Sequence, residues 1–405
     1  MEKRHTACDP SVNRRDFLRR TGVSAVGAVS AALPQAAPAS VIQPAEPLRR
    51  LGRTGLMVSA VAFGAGGLNP SRRDLVPAAL DAGITLFDTS PAYGEGASET
   101  TLGQMLAGSP QAGNPLAGSR RDRVVLMTKE PGLDHAFLAT QPDAVAERAL
   151  AASVEGSLRR LRTDRIDVLF CPASAESPAQ AAYPQLRRAL ERLRDAGKVR
   201  FFGLATDDGG HPAGGNGSGS GSGYGAGYAA GYGSVARAAV ESGFYDVVMT
   251  VLNAATLDGE GTFRRLVNDQ QAARNRRAPA PARGRRPEPP APVAEDLSWL
   301  PELAAAADVG LVAMRAAHTR FLPPESDAAV LRRFARPGLS RHQCLYRTVL
   351  DRTVPDRTTP DRTVAAAITP GVLTPGVLTP GVTSVAVGLH TPEHLREAAA
   401  LLRGR

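Results

Sequence analysis

Cysteine is nearly absent from this sequence: Cys8, Cys171 and Cys344 are the only three in 405 residues. Their spacing matches no zinc-ligand pattern and permits at most one disulfide, so neither a metal site nor a disulfide framework is expected. Long apolar runs are lacking too. The Gly, Ala, Val and Ser run from Thr21 to Leu33 is too short to cross a bilayer comfortably, so no stable membrane span is expected. The formal charge of +9 would suggest a polyanion partner, but it is not spread over the chain. Residues 1–39 hold six Lys or Arg against three acids, and residues 264–290 hold eight Arg against Asp269 and Glu288. The remainder is neutral, and the Arg-rich stretch has no interleaved aromatics, so a nucleic-acid partner is not expected.

The first 39 residues read as an address. Asn13-Arg14-Arg15-Asp16-Phe17-Leu18-Arg19 resembles a twin-arginine export motif, the short apolar run follows it, and Ala37-Pro38-Ala39 offers a small-x-small cleavage site. The expectation is a signal peptide over 1–39, maturation near Ser40, engagement of the twin-arginine machinery, and an exported, periplasmic or otherwise extracytoplasmic product.

From residue 48 short apolar runs alternate with amphipathic stretches. Strands are expected near 58–63, 84–88, 123–128, 166–171, 199–204, 246–251, 310–314 and 384–388. Helices are expected near 71–82, 97–107, 142–161, 179–196, 234–243, 297–308, in a broken stretch over 326–350, and at 391–402. Eight strand-helix units with near-continuous apolar strands imply an α/β fold, a closed parallel (β/α)8 TIM barrel. Leu48 to Met57, with turn signals at Gly52 and Gly55, is expected to form an N-terminal hairpin. Three inserts fall in connections: a Gly/Ser/Tyr tract at 209–233, the Arg/Pro stretch near 268–294, and tandem short repeats over 351–382. Their compositions predict flexible segments without a core.

The stretch around which the chemistry gathers is Gly83 to Gly103, GITLFDTSPAYGEGASETTLG. It sets Asp88 at a strand end and Tyr93 in the loop beyond, and the next strand, ending Thr128-Lys129, delivers an amine to the matching position. A carboxylate holding an ammonium beside a phenol is an arrangement suited to proton transfer. These motifs, with Ser98, Glu99 and Gly103, resemble the aldo-keto reductase family. LRRLRTDRIDVL at 158–169, ALERLRDAGKVRFFGLA at 189–205, GLVAMR at 310–315 and VTSVAVGLHTPEHL at 382–395 resemble it in the same order.

The resemblance implies NAD(P)H-dependent reduction of a small-molecule carbonyl, with Asp88, Tyr93 and Lys129 as the catalytic set. For the cofactor, NADP first and NAD second, it implies Gly64 and Ala65 in the first loop, Thr206 at the nicotinamide amide, and Met314 and Arg315 at the ring and phosphates. Gly388, Leu389, His390, His394 and Glu397 would lie around the adenosine phosphate. Two departures stand out. The position at which the family carries an orienting His falls on Pro172, which donates no hydrogen bond; His135 and His318 are the candidates to replace it. Where relatives often carry Arg or Gln at the adenosine phosphate, this chain has His390 and His394. A catalytically weakened barrel serving as a nucleotide-binding or sensing partner is therefore the alternative reading.

Overall fold

Each expected apolar run becomes a strand in the computed structural model, which describes residues 46–107, 120–130, 141–173, 175, 177–182, 184–206, 234–254, 256–257, 296–317, 336–351, 353–355 and 378–403. The strands β3 (Val61–Gly64), β4 (Leu86–Asp88), β5 (Val125–Lys129), β6 (Ile166–Phe170), β7 (Val199–Thr206), β8 (Val247–Val251), β9 (Gly310–Met314) and β12 (Ser384–Gly388) close into one barrel. All neighbouring pairs are parallel, and β12 returns to pair with β3. The helices α1 (Leu75–Asp81), α2 (Ala97–Ala107), α3 (Asp143–Leu161), α4 (Pro184–Asp195), α5 (Ser234–Glu241), α6 (Leu300–Ala306), α7 (Arg341–Leu350) and α8 (Pro392–Leu402) follow the strands in turn. This is the expected (β/α)8 architecture.

The strands are apolar on both faces because both faces are covered. Leu86, Met127, Val168, Phe170, Met249 and Val312 fill the barrel interior. Their strand neighbours Phe87, Leu126, Leu169, Val248 and Leu311 point outward into the layer shared with the helices. The two-residue period of a strand thus decides which side chains reach the interior. That phase also sets what stands at the barrel mouth.

The floor is closed by β1 (Arg49–Arg50) and β2 (Met57–Val58), an antiparallel hairpin that contributes Leu51 and Val58 to the interior. Gly52 holds φ +51°, and a Cβ there would lie 2.2 Å from the Gly310 amide nitrogen, so the hairpin turn can seat on the start of β9 only as glycine. The strand expected over 58–63 is in fact two. Val58 belongs to the hairpin, and Ser59 breaks the run by donating its hydroxyl to the Val61 carbonyl (2.6 Å) while exchanging hydrogen bonds with Thr85. At the same end of the barrel, buried Asp167 accepts from the Leu126 amide (2.9 Å) and pairs with Arg121 at 2.8 Å, which ties β5 to β6.

Of the broken stretch over 326–350, the described part is α7, which starts at a capping box between Ser340 and Gln343. The inserts 209–233 and 268–294 lie outside the described residues, as do 1–45, His135 and His318. In the third insert the structure adds a ladder that the short repeats did not announce. Strands β10 (Thr353–Pro355) and β11 (Leu378–Pro380) pair antiparallel, with Val354 opposite Thr379. Among the described residues no helix is long and apolar enough to cross a membrane, and no group of three or more His, Cys, Asp or Glu is placed to hold a metal ion.

Candidate active site

In the barrel registers Gly388 stands opposite Gly64, Gly64 opposite Asp88, and Lys129 opposite Phe170. The carboxyl ends of these strands therefore share one rim, the face on which parallel barrels carry their chemistry. Asp88 follows Leu86 by two, and Lys129 follows Met127 by two, so both inherit the inward phase. Their side chains meet there: Lys129 Nζ bonds Asp88 Oδ1 and also donates to the Thr89 carbonyl at 3.1 Å. Both residues are buried. Nζ lies 5.1 Å from the centre of the Tyr93 ring and 6.0 Å from that of Phe170. Asp88, Tyr93 and Lys129 thus converge as the sequence led one to expect.

Electrostatics fix the charge state of the lysine. Burial opposes its ammonium, but the charge of Asp88, then that of Tyr93, and the hydrogen bonds it makes to both outweigh it, so Lys129 is held above its ordinary value. Burial raises the Asp88 carboxyl, while Lys129 pulls it back down. The ammonium therefore persists across neutral pH beside the phenol, and an adjacent positive charge favours a phenolate over a phenol.

Tyr93 is delivered by an unusual loop. Gly94, Glu95 and Gly96 all have positive φ, at 59°, 53° and 89°, which reverses the chain sharply before α2. The loop is held from behind by residues whose part in the motif the sequence did not disclose. Ser98 donates to the Ala65 carbonyl (2.8 Å) and shares a hydrogen bond with Thr89 (2.9 Å). Fully buried Glu99 accepts from Thr128 (2.6 Å) and pairs with Arg160 at 2.7 Å. The Arg160 side chain also lies against Gly96, where a Cβ would meet its Cδ at 2.8 Å. Gly103 lets α2 approach α3 so closely that a Cβ would sit 2.4 Å from the Arg160 carbonyl oxygen. Ser98, Glu99 and Gly103 are therefore framework for the Tyr93 loop. The signal for this was a carboxylate followed by apolar helix positions, since a buried acid needs a partner; which arginine supplies it could not be read.

The cofactor candidates divide. Met314 packs at the upper edge of the barrel interior, and Arg315 turns the chain out of β9 with φ 56°. Gly66 leaves the Tyr93 ring uncovered: a Cβ there would only reach the ring at 3.9 Å. Gly64 serves strand pairing, because a Cβ would fall 2.7 Å from the Val387 carbonyl oxygen, and Ala65 is buried and accepts from Ser98. Thr206 is out of phase with inward-facing Ala205, and its hydroxyl donates to the Ala175 carbonyl (2.9 Å), so that proton is committed to bracing the rim. Leu389 is buried, and its amide approaches the Gly64 carbonyl at 3.4 Å. Glu397 meets His342 of α7 at 3.3 Å, which turns it toward the helical layer.

His390 and His394 stack edge to face, with ring centres 6.1 Å apart. A Cβ on Gly67 would lie 2.0 Å from His390 Nδ1, and one on Gly388 would lie 2.9 Å from its Nε2. Glycine backbone at Gly66, Gly67 and Gly388, an imidazole over the last two and a thioether at the mouth fit a nicotinamide dinucleotide in their chemistry.

Pro172 is buried at the end of β6 and its carbonyl accepts from the Ala205 amide at 3.2 Å. Cys171 beside it is fully buried, and burial, followed by the charge of Glu130, pushes its thiol well up. A thiol in that state is a packing residue and not a nucleophile.

Residues 61–210 match the model of the aldo/keto reductase family. Over 165 residues the chain is 37% identical to the L-galactose dehydrogenase of Arabidopsis thaliana, which spans 39% of this chain and 47% of that protein. Over 170 residues it is 32% identical to the 6-dehydroglucose reductase of Novosphingobium aromaticivorans, spanning 39% and 50%. The chain thus matches about half the length of these curated relatives. In fold it is similar to an aldo-keto reductase of Bacillus halodurans in its holo form, with a TM-score of 0.53 and 17% identity over 88% of this chain and 91% of that one. It is also similar to an aldo/keto reductase of Klebsiella pneumoniae solved with NADP and acetate, at 0.50 and 18% over 88% and 90%. Residues 61–210 are therefore similar in sequence to the aldo/keto reductase family, and the barrel they open shares the fold of the solved aldo-keto reductases.

Proposed function

We propose that this protein reduces an aldehyde or ketone to an alcohol at the expense of NADPH or NADH. The observation that carries the proposal is the buried Lys129 held by Asp88 and set beside Tyr93 at the mouth. A bound reduced nicotinamide would supply hydride. Tyr93 gives its phenolic proton to the carbonyl oxygen as negative charge grows there, and the Lys129 ammonium makes that phenol a usable acid. Asp88 keeps the lysine charged and aimed. Met314 would pack against the ring, Gly66 and Gly67 would let the dinucleotide approach the backbone, and His390 and His394 would face its adenosine end.

The names of the relatives support a sugar-like or other small polar carbonyl compound, and the Klebsiella structure with NADP supports a nicotinamide cofactor. The test is a parallel screen of carbonyl compounds with NADPH and NADH. Binding of neither nucleotide would remove the enzymatic reading altogether.

Pro172 favours slow turnover. With no donor at that position, one preorganised hydrogen bond to the developing oxyanion is missing, a loss of about 100-fold or more. Pro172→His is expected to raise kcat on a reactive aldehyde by roughly 10-fold or more, recovering part of that loss. An unchanged kcat in a folded Pro172→His variant would place the position away from the reacting carbonyl. Should the wild-type chain bind nucleotide without turnover, the sensing-partner reading takes over.

We further infer that the protein is exported folded through the twin-arginine route and matures near Ser40. Support comes from Arg14-Arg15, the apolar run and Ala37-Pro38-Ala39. Replacing both arginines by lysine should leave unprocessed protein in the cytoplasm; unchanged processing would defeat this reading.

A further inference from the structure

Phe170 was not among the residues that the sequence connected with the chemistry. It ends β6, two residues after inward-facing Val168, so its ring enters the barrel interior and is fully buried there. In the barrel register it stands between Lys129 of β5 and Gly203 of β7. Gly203 shares the inward phase of Phe201 and Ala205 but offers the interior no side chain. A Cβ built there would lie 2.5 Å from both Cδ1 and Cε1 of Phe170. The ring therefore rests on the β7 backbone and fills two neighbouring inward places, its own and that of Gly203.

That placement sets an aromatic ring beside the ammonium of the site. Lys129 Nζ lies 6.0 Å from the centre of the Phe170 ring and 5.1 Å from that of Tyr93. Its hydrogen bonds go to Asp88, to the Thr89 carbonyl and to Tyr93, so all three donors of the ammonium are taken. Asp88 from β4 and Tyr93 from the loop beyond it are the titratable groups whose charge acts on it. Glu130, the next residue of β5, is out of phase with Lys129, and its charge falls on Cys171 in the outer layer. From β6 the lysine meets the Phe170 ring.

Resting on the reductase reading above, we propose that Phe170 is a positioning residue for the reaction: its ring, seated on Gly203, closes the inner flank of the Lys129 ammonium and holds it against Tyr93. Two physical effects carry this. A cation within about 6 Å of a ring centre is attracted to the electron-rich face of the ring. A ring that keeps water from the ammonium also leaves its field unscreened at the phenol, since charges act more strongly across a dry interior than across water. An aliphatic side chain has no such face, and one smaller than the ring leaves space beside Gly203. A ring that only filled the barrel would be replaceable at a cost in stability, with the acidity of the site unchanged.

The experiment follows single-turnover oxidation of NADPH by a reactive small aldehyde from about pH 6 to about pH 10, the range in which a phenol beside a cation titrates. It uses the full-length protein and its Phe170→Leu and Phe170→Tyr variants, with NADPH affinity titrated alongside. Phe170→Leu should lower the rate at neutral pH roughly 10-fold, within the span of a desolvated ammonium-ring contact. Its alkaline limb should move up by about half to one pH unit, because a phenol that feels less positive charge holds its proton further. NADPH affinity should stay within about 2-fold of wild type. Phe170→Tyr keeps the ring and should keep the position of the limb, with a rate within about 3-fold. If Phe170→Leu does not fold, Phe170→Met, an unbranched chain closer in volume, carries the same test. A slower aliphatic variant with an unmoved limb, an unchanged rate, a parallel loss of NADPH, or a Phe170→Tyr variant as slow as the aliphatic one overturns the proposal. In each of those cases wild-type turnover and its loss in Tyr93→Phe leave the reductase reading standing. Failure of the wild-type protein to oxidise NADPH with any carbonyl compound overturns both.

Discussion

Tyr93→Phe is expected to abolish nearly all carbonyl reduction, by roughly 100- to 10,000-fold in kcat, which is what a positioned general acid contributes. The substitution removes the phenolic oxygen and its hydrogen bond with Lys129 but leaves the ring against the ammonium, so the barrel is expected to keep its shape. Nucleotide affinity should stay within about 2-fold of wild type, since no contact argued for the dinucleotide depends on the phenolic oxygen. Steady-state kinetics alongside nucleotide titration separates the two effects. A variant that turns over normally would deny Tyr93 its role, and one that also loses nucleotide would make the residue a binding element.

Lys129→Met should cost both rate and stability. On the proposed reading the ammonium is what makes the phenol a usable acid, since a nearby positive charge favours the phenolate. The rate at neutral pH should fall by roughly 100-fold or more. The pH at which reduction fails on the alkaline side should move upward, because the phenol then holds its proton further. Stability suffers because Asp88 is buried and its ammonium partner would be gone. Removing one member of a buried pair typically costs about 3–5 kcal/mol. Burial already raises the Asp88 carboxyl, so the variant should take up a proton there and be least destabilised at low pH. Denaturant melts at two pH values, with a pH-rate profile, would check both halves. An unchanged alkaline limb would show that Lys129 does not tune the acid.

What the sequence made legible follows from periodicity. Short, near-continuous apolar runs such as Val247 to Val251 identified the strands and set Asp88 and Lys129 at their ends; the strand phase seen in the structure turns both inward, where they meet. The family motif named Tyr93. What stayed hidden depends on contacts between distant positions. Glu99 and Arg160 are 61 residues apart, and nothing local in either says that they pair behind the Tyr93 loop. Gly67 and His390 come from opposite ends of the barrel sequence and meet only because β12 closes onto β3.

Thr206 and Ser59 show the limits of phase. The strand expected over 199–204 runs on to Thr206, whose hydroxyl donates to the Ala175 carbonyl and braces the loop after β6. At Ser59 a side-chain hydrogen bond to Val61 ends a run that composition alone would continue. The short β10–β11 ladder, with Thr and Val opposite one another, was masked by the prolines of its repeats, which weigh against strand formation although β-branched residues favour it.

The most direct test of the whole account is a single-turnover experiment. Purified protein is loaded with NADPH, mixed with a reactive small aldehyde, and followed for nucleotide oxidation and alcohol formation. The account predicts one equivalent of each per active site, slow in the wild type and lost in Tyr93→Phe. Tightly bound NADPH that is never oxidised by any carbonyl compound would contradict it.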